Sequence, residues 1–170
     1  MLIVIRGGGD IASGIALRLY RAGMDVVICE VPSPTSIRRT VCFSEAVRLG
    51  ETAVEGVTAR RTDVEEIPDL LEHGIIPVLV DPSALCVPAL EPDAVVDAIL
   101  AKRNLGTSID MAPVVVAAGP GFTAGVDCHA VVETMRGHYL GRTIYSGSAL
   151  PNTAIPGLIG GFAGERVLRA

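Results

Sequence analysis

A chain of 170 residues is long enough for one domain, or for one domain with an extension, and 49% of its residues are hydrophobic. Its net charge of −5 at pH 7 argues against nucleic acid as the main partner. No run reaches the roughly 18 apolar residues of a membrane helix, and the N-terminus lacks a signal-peptide pattern. With aromatic residues at only 4%, aliphatic side chains must fill the core, as in a parallel sheet covered by helices on both faces. We therefore expect a cytoplasmic α/β protein without a membrane partner.

The first stretch of the chain predicts a strand, a tight glycine turn and a helix. Leu2–Ile5 is apolar, three glycines follow it, and apolar residues then recur at helical spacing until Gly23. The turn fits the G-x-G-x-x-G/A spacing, in which backbone N–H groups and a helix N-terminus bind a pyrophosphate. The alternative is a turn that needs small residues only for packing. The candidate phosphate-binding residues are Gly7, Gly8, Gly9, Asp10 and Ala12.

Two acidic residues belong to this predicted unit. Asp10 suits the positive end of the helix dipole as a cap, or it is a ligand for a metal or substrate. A second apolar run, Val26–Cys29, ends at Glu30, about 20 residues beyond the glycines, where a ribose-binding carboxylate is expected. The alternative for Glu30 is a solvated strand end. A carboxylate on the ribose would favour NAD over NADP, because it repels a 2′-phosphate.

The next segments predict a helix, one or two strands and a second helix. Helical spacing covers residues 37–48, which carry Arg38 and Arg39. This arginine pair is suited to clamp a phosphate, and the alternative is a solvated helix face. Residues 52–61 predict one or two short strands, and residues 63–74 a short helix.

Two further apolar runs predict strands. Residues 75–81 form the first, and we expect it to begin at or after Pro77, because proline is rare inside a strand. Residues 93–104 fit either a helix or a short strand, and we favour the strand. The residues that follow this strand are expected at the ligand-binding edge of the sheet, and they are Lys102, Arg103 and Asn104.

A strong strand at 113–118 runs into a second glycine loop at 119–125. Ligands of open α/β sheets bind beyond the carboxyl ends of the strands, so this loop is predicted to form the opposite wall of a crevice. Its candidate ligand contacts are Gly119, Gly121 and Phe122.

The remaining sequence predicts a β-hairpin from residues 130–134 and 142–146, followed by a Gly/Pro-rich tail. The predicted fold is α/β, a Rossmann-like, mostly parallel sheet flanked by helices, with a C-terminal β-hairpin extension. The predicted domains are a nucleotide-binding unit over 1–125 and the extension over 126–170. The free edges of the hairpin permit a homodimer.

The cysteines and histidines give weak signals. None of the four cysteines belongs to a C-x-x-C pair, which argues against a zinc knuckle or a dithiol redox site. Cys29 lies in a predicted buried strand and is interpreted as packing. Cys128 and His129 point to opposite faces of a strand, so we expect no shared metal. A sulfur-carrying Cys128 and a catalytic His138 are less favoured than structural roles. No metal site is predicted.

Several motifs together resemble the YqeB-type accessory proteins of the selenium-dependent molybdenum hydroxylase system, and the resemblance covers nearly the whole chain. The matching segments are Ile5–Asp10 with Ser13-Gly14, Arg38–Val41, Asp97–Thr107, Gly119–Gly125, and Glu133-Thr134 with Arg136–His138. The resemblance implies a role in the maturation of such hydroxylases. It brings no established reaction and no agreed catalytic residues.

Three functional hypotheses follow. The first is an accessory protein that binds a nucleotide or dinucleotide, with NAD and the dinucleotide form of the molybdenum cofactor (molybdopterin dinucleotide) as candidates. The second is an NAD-dependent oxidoreductase, which needs a proton-transfer group near the nicotinamide. The sequence offers His138, Asp97, Lys102 or Tyr145 for that role. The third is a scaffold with no ligand that docks a molybdenum hydroxylase.

Overall fold

Short apolar runs form the strands of this protein, and glycine, proline or acidic residues end most of them. The computed structural model describes residues 1–151. The strands in that range are β1 (Leu2–Arg6), β2 (Asp25–Glu30), β3 (Glu51–Val54), β4 (Val57–Arg61), β5 (Ile76–Val80), β6 (Ala94–Asp97), β7 (Val114–Ala118), β8 (Ala130–Val132) and β9 (Thr143–Ile144). The α-helices are α1 (Asp10–Arg21), α2 (Glu45–Leu49), α3 (Ile67–Glu72) and α4 (Val87–Leu90). Short 3₁₀ turns cover Arg39–Val41, Val64–Glu66 and Ile109–Met111.

The strands make one sheet in the order β3-β4-β5-β2-β1-β6-β7-β8-β9. Every pairing is parallel except those of β3 with β4 and of β8 with β9. From β1 the chain passes to β2, then to the antiparallel pair of β3 and β4 at the edge, and β5 fills the place between β4 and β2. The chain then returns to the other side of β1 and continues through β6 and β7. The order therefore reverses next to β1, and such a reversal opens a crevice at the carboxyl ends of the central strands. The predicted α/β class and mostly parallel sheet are confirmed.

The central strands bury side chains on both faces, which explains their nearly unbroken apolar sequences. Successive residues of a strand point to opposite faces, so Ile3 and Ile5 pack with α1 and α2, whereas Val4 packs with α3 and α4. The predicted helical cover on both faces is therefore present. No helix within residues 1–151 has both the length and the apolar composition needed to cross a bilayer.

The helix predicted over 37–48 is wrong in extent. A 3₁₀ turn at Arg39–Val41 is followed by extended backbone at Cys42 and then by the short helix α2. Two backbone bonds explain the interruption: Phe43 N–H donates to Ser13 Oγ at 2.8 Å, and Ser44 N–H donates to Gly8 O at 2.9 Å. These bonds fix the segment to α1 and to the glycine turn, and tertiary contacts thus override the local helical pattern.

The strand predicted to begin at or after Pro77 begins at Ile76. Val78 O accepts from Thr62 N–H on the β4 side, so the backbone groups of Pro77 point the other way, towards β2. Pairing with β2 starts only at Val78, beyond the proline. The missing N–H of Pro77 therefore interrupts no ladder.

Three other predicted elements are confirmed. The ambiguous segment 93–104 contains β6, the strands predicted over 52–61 are the β3–β4 hairpin, which begins at Glu51, and the β8–β9 hairpin follows β7. Strand β8 also pairs in parallel with β7, so the hairpin continues the main sheet across the predicted boundary at residue 125. The division into two domains stays a prediction, and the tail from residue 152 lies outside the described residues.

Gly14 is an exposed glycine inside α1, and nothing lies within 4 Å of a Cβ placed on it. We expect Gly14→Ala to raise the free energy of unfolding by about 0.5–1 kcal/mol, because alanine loses less backbone entropy in a helix. Chemical denaturation measures the change. Gly23→Ala is the matched control: it has the same free space but a φ of +82°, so it should lower stability by about 1–2 kcal/mol. A destabilising Gly14→Ala would contradict the position of α1.

Candidate functional site

A cavity of about 500 Å³ opens at the carboxyl ends of β1, β2 and β6, beside the point where the strand order reverses. The turn after β1 forms one side, the start of α1 another, and the segments after β2 and β6 the rest. The lining residues are Gly7, Gly9, Asp10, Ile11, Ala12, Cys29, Glu30, Val31, Pro34, Thr35, Ser36, Ile37, Arg38, Pro82, Ala98, Ile99, Leu100 and Leu105. Six of these, Gly7, Gly9, Asp10, Ala12, Glu30 and Arg38, were predicted from the sequence as ligand contacts.

Two glycines of the turn are required by packing. Gly7 has a φ of +97°, and a Cβ on it would lie 3.0 Å from Ala98 O. A Cβ on Gly8 would lie 3.0 Å from Ser44 N. Both positions bring backbone segments close together, so larger residues there would displace the turn from the sheet.

Gly9 differs from its two neighbours. Its φ of −66° suits any residue, and a Cβ on it would meet only Ser36 Oγ at 3.8 Å. The fold therefore does not require glycine at this position, which lines the cavity. Ala12, the third residue of the motif, is 1% exposed and packs between α1 and the sheet.

The N-terminus of α1 keeps free donors towards the cavity. Gly8 N–H donates to Glu30, and Ile11 N–H donates to Asp10 Oδ1 at 3.0 Å. Ser13 N–H donates to Gly9 O at 2.8 Å. The N–H groups of Gly9 and Ala12 have no acceptor within residues 1–151, as is usual for the first turn of a helix.

Asp10 is the first residue of α1 rather than its N-cap, which is Gly9. Its Oδ2 accepts from Arg38 Nε at 2.6 Å, and the two side chains form an ion pair at the mouth of the cavity. The hydrogen bond from Arg38 is the main reason that the pKa of Asp10 lies below its usual value. The predicted capping role is thus limited to the bond with Ile11.

Glu30 is buried, at 9% exposure, and the alternative of a solvated strand end is wrong. Its Oε1 accepts from Gly8 N–H at 2.8 Å and its Oε2 from Val31 N–H at 2.7 Å. The carboxylate thereby connects the end of β2 to the glycine turn. Each oxygen has a second lone pair that can accept a hydrogen bond from a ribose hydroxyl. The contact with a ribose itself stays a prediction.

The structure separates the two predicted arginines. Arg38 lines the cavity, and its side chain is 72% exposed although it pairs with Asp10. Arg39 lies 3.7 Å from Glu45, measured between Nε and Oε1, and does not line the cavity. Only Arg38 is therefore positioned to contact a ligand there.

A buried polar cluster beneath the cavity was not predicted. Arg6 and Asp97, each 1% exposed, end the neighbouring strands β1 and β6, with Nη1 3.5 Å from Oδ2. Thr107 accepts from Arg6 and donates to Asp97 at 2.6 Å. Arg6 Nη2 also donates to the carbonyls of Pro82 and Leu105, both at 3.0 Å. Since Pro82 and Leu105 line the cavity, Arg6 fixes its floor.

The loops after β6 and β7 pack against each other. A Cβ on Gly121 would lie 2.5 Å from Arg103 N and 2.7 Å from Lys102 C. Asn104 accepts through Oδ1 from the N–H groups of Gly106 and Thr107, and so closes its own turn. These loops therefore contact one another through backbone.

Six candidate ligand contacts belong to these two loops, and the structure does not place them in the lining of the cavity. They are Lys102, Arg103, Asn104, Gly119, Gly121 and Phe122. Gly119 approaches Thr134, and Phe122 is 3% exposed in the core. Their contact with a ligand stays a prediction.

The cysteines are all reduced and buried. Burial raises the pKa of Cys128, which disfavours the thiolate that sulfur transfer would need. Cys29 is buried as predicted, but its Sγ lies 3.4 Å from that of Cys86. Sequence spacing could not reveal this pair, because 57 residues separate the two cysteines.

The chain is clearly similar to a known bacterial protein. The identity is 61% over 170 residues to the uncharacterized protein YqeB of Escherichia coli (strain K12). The match covers 99% of this chain but 31% of the relative, so the chain spans less than a third of the relative's length. No protein-family model matches the chain, and no solved structure matches it. The chain is therefore a homologue of one part of YqeB.

Proposed function

We propose that this chain binds a nucleotide or dinucleotide in the cavity at the end of β1, through a Rossmann-like glycine turn. The observation that carries the proposal is that the three motif residues have three different structural roles. Gly7 makes the tight turn with a positive φ, Ala12 packs α1 on the sheet, and Gly9 lines the cavity with no packing reason to be glycine. These are the three roles of a pyrophosphate-binding turn.

The chemistry of the cavity suits a phosphate. The N–H groups of Gly9 and Ala12 lie at the N-terminus of a 12-residue helix, whose dipole favours an anion. Asp10 opposes an anion, but Arg38 balances its charge and is exposed enough to reach a second partner. An incoming phosphate would then share the guanidinium with Asp10.

Glu30 supports a ligand with an unphosphorylated ribose. Its carboxylate lines the cavity and keeps acceptor capacity for a hydroxyl. A 2′-phosphate near this buried anion would be repelled. The candidate ligands are therefore NAD and the dinucleotide form of the molybdenum cofactor, molybdopterin dinucleotide.

The biological role that we propose for such binding rests on the family resemblance of the sequence motifs. The YqeB-type resemblance implies an accessory protein in the maturation of selenium-dependent molybdenum hydroxylases. We propose that the chain binds a cofactor and delivers it to a hydroxylase, with no reaction of its own. Because the relative is much longer, its remaining part is expected to contribute to that process.

Gly9→Asp tests the binding site without disturbing the fold. Aspartate is a preferred N-cap at this φ, and its carboxylate would accept from Ala12 N–H and occupy the phosphate position. At a free ligand concentration of about 100 Kd, binding should stabilise the wild-type chain by about 2.7 kcal/mol. Thermal shift with NAD, NADP, CTP and molybdopterin dinucleotide, together with native mass spectrometry, measures the effect. We expect Gly9→Asp to abolish it.

Gly14→Asp is the matched control, since it adds the same charge to α1 at an exposed position that does not line the cavity. It should keep the ligand-induced shift. Loss of the shift in both variants would indicate a general charge effect. Absence of any shift in the wild-type chain would refute nucleotide binding and favour the docking scaffold.

A further inference from the structure

We infer that Cys29, Asp81 and Cys86 form a binding site for a thiophilic divalent cation of the Zn²⁺ class, with one coordination position left open. One possible ligand atom from each residue lies within 4.8 Å of the other two. Two thiolates and a carboxylate are a ligand set that Zn²⁺ accepts. The inference goes beyond the proposed function and does not depend on nucleotide binding.

The fold brings the three residues together from strand β2 and from the segment that connects β5 to α4. Cys29 lies in β2 and Asp81 directly follows β5, its parallel neighbour. The chain then reverses through Ala84, which has a φ of +54°, and returns to Cys86 at the start of α4. Asp81 Oδ2 accepts from Cys86 N–H at 2.9 Å, which fixes the carboxylate beside the second sulfur. Strand pairing, the turn at Ala84 and the bond from Cys86 N–H thus hold the three candidate ligands close together.

The distance between the sulfurs suits a shared ion better than a covalent bond. In tetrahedral zinc sites with Zn–S bonds of about 2.3 Å, two sulfurs lie about 3.8 Å apart. The observed Sγ–Sγ distance is 3.4 Å, so a small rotation of either side chain is sufficient. A disulfide requires about 2.05 Å, and therefore a much larger approach.

Metal binding at this cluster replaces thiol protons, because cysteine binds zinc as the thiolate. A divalent cation then balances two of the three negative charges of two thiolates and a carboxylate. Binding is therefore expected to release protons.

The site has an approach from solvent. Asp81 and Cys86 line a second cavity, of about 400 Å³, whereas Cys29 lines the cavity of the glycine turn. The sulfur pair thus lies between the two cavities. Three protein ligands leave a fourth position of a tetrahedral ion for water or another small ligand, as in catalytic rather than structural zinc sites.

Titration of the reduced full chain with Co²⁺ tests the site, because thiolate ligands give an intense charge-transfer band in the near ultraviolet. We expect one Co²⁺ per chain, displacement by Zn²⁺, and loss of the band in Cys29→Ser and Cys86→Ser. Asp81→Asn should keep the fold and weaken binding by at least about tenfold. Cys42→Ser and Cys128→Ser are matched controls, since both remove a buried cysteine outside the cluster and should keep the band.

Circular dichroism of each variant separates loss of the site from loss of the fold. Absence of the band in the folded wild-type chain, or its persistence in folded Cys86→Ser, would overturn the inference. Undiminished affinity in Asp81→Asn would remove the carboxylate from the ligand set. Rapid air oxidation of Cys29 and Cys86 to a disulfide, with no Co²⁺ binding before it, would assign the pair to thiol chemistry and contradict the metal site.

Discussion

Replacement of Arg6 by methionine is expected to lower the free energy of unfolding by about 3–5 kcal/mol, because it leaves a buried carboxylate without its cation. Arg6 and Asp97 are each 1% exposed, and Arg6 also donates to the carbonyls of Pro82 and Leu105. Methionine fills much of the same volume, so the loss reports the polar contacts rather than a cavity. Urea denaturation monitored by circular dichroism measures the change.

Two comparisons make this test specific. Arg21 pairs with Glu55 on the surface, where both side chains are about half exposed or more, so Arg21→Met should cost less than about 1 kcal/mol. In the Arg6→Met background, Asp97→Asn should be far less harmful than in the wild-type chain, because it removes the unpaired charge. Additive losses in the double variant would contradict a coupled pair.

Gly121→Ala is expected to lower the free energy of unfolding by about 2–5 kcal/mol, from a positive φ and from overlap with the neighbouring loop. The φ is +108°, and the new Cβ would lie 2.5 Å from Arg103 N. Backbone atoms cannot move aside as a flexible side chain does, so the loop after β6 would have to shift. Thermal and chemical denaturation measure the loss.

Gly125→Ala separates the two contributions. Gly125 has a φ of +85° in the same loop, but nothing lies within 4 Å of its Cβ position. It should therefore show only the conformational cost, about 1–2 kcal/mol. Equal losses in the two variants would show that the close approach of Gly121 to Arg103 is absent in solution.

Local sequence was sufficient for the centre of the fold. The run Leu2–Ile5, the glycines and the helical pattern after them predicted β1, the turn and α1, because each local preference agrees with the sheet around it. The apolar run before Glu30 predicted β2 in the same way.

Features that depend on distant partners were beyond sequence reasoning. The helix predicted over 37–48 is interrupted because Phe43 bonds to Ser13 in α1 and Ser44 bonds to Gly8 in the glycine turn, both distant in sequence. The Cys29–Cys86 pair joins β2 to the start of α4, and the Arg6–Asp97 pair joins β1 to β6. One signal was present for the second pair: a charged residue directly ends each of two apolar strands that were predicted to be buried.

The reversal of strand order also constrains how the chain folds during synthesis. Strand β1 is made first, and β2 covers one of its edges early, through the pairing of Ile3 with Val26. Its other edge pairs with β6, where Arg6 faces Asp97, so it remains open until that segment has been made. Long-range parallel pairing of this kind is slow, and an open central edge is prone to aggregation. Nascent chains that stall before Asp97 therefore expose one edge of the apolar central strand β1, and they are the species on which we expect chaperones to act.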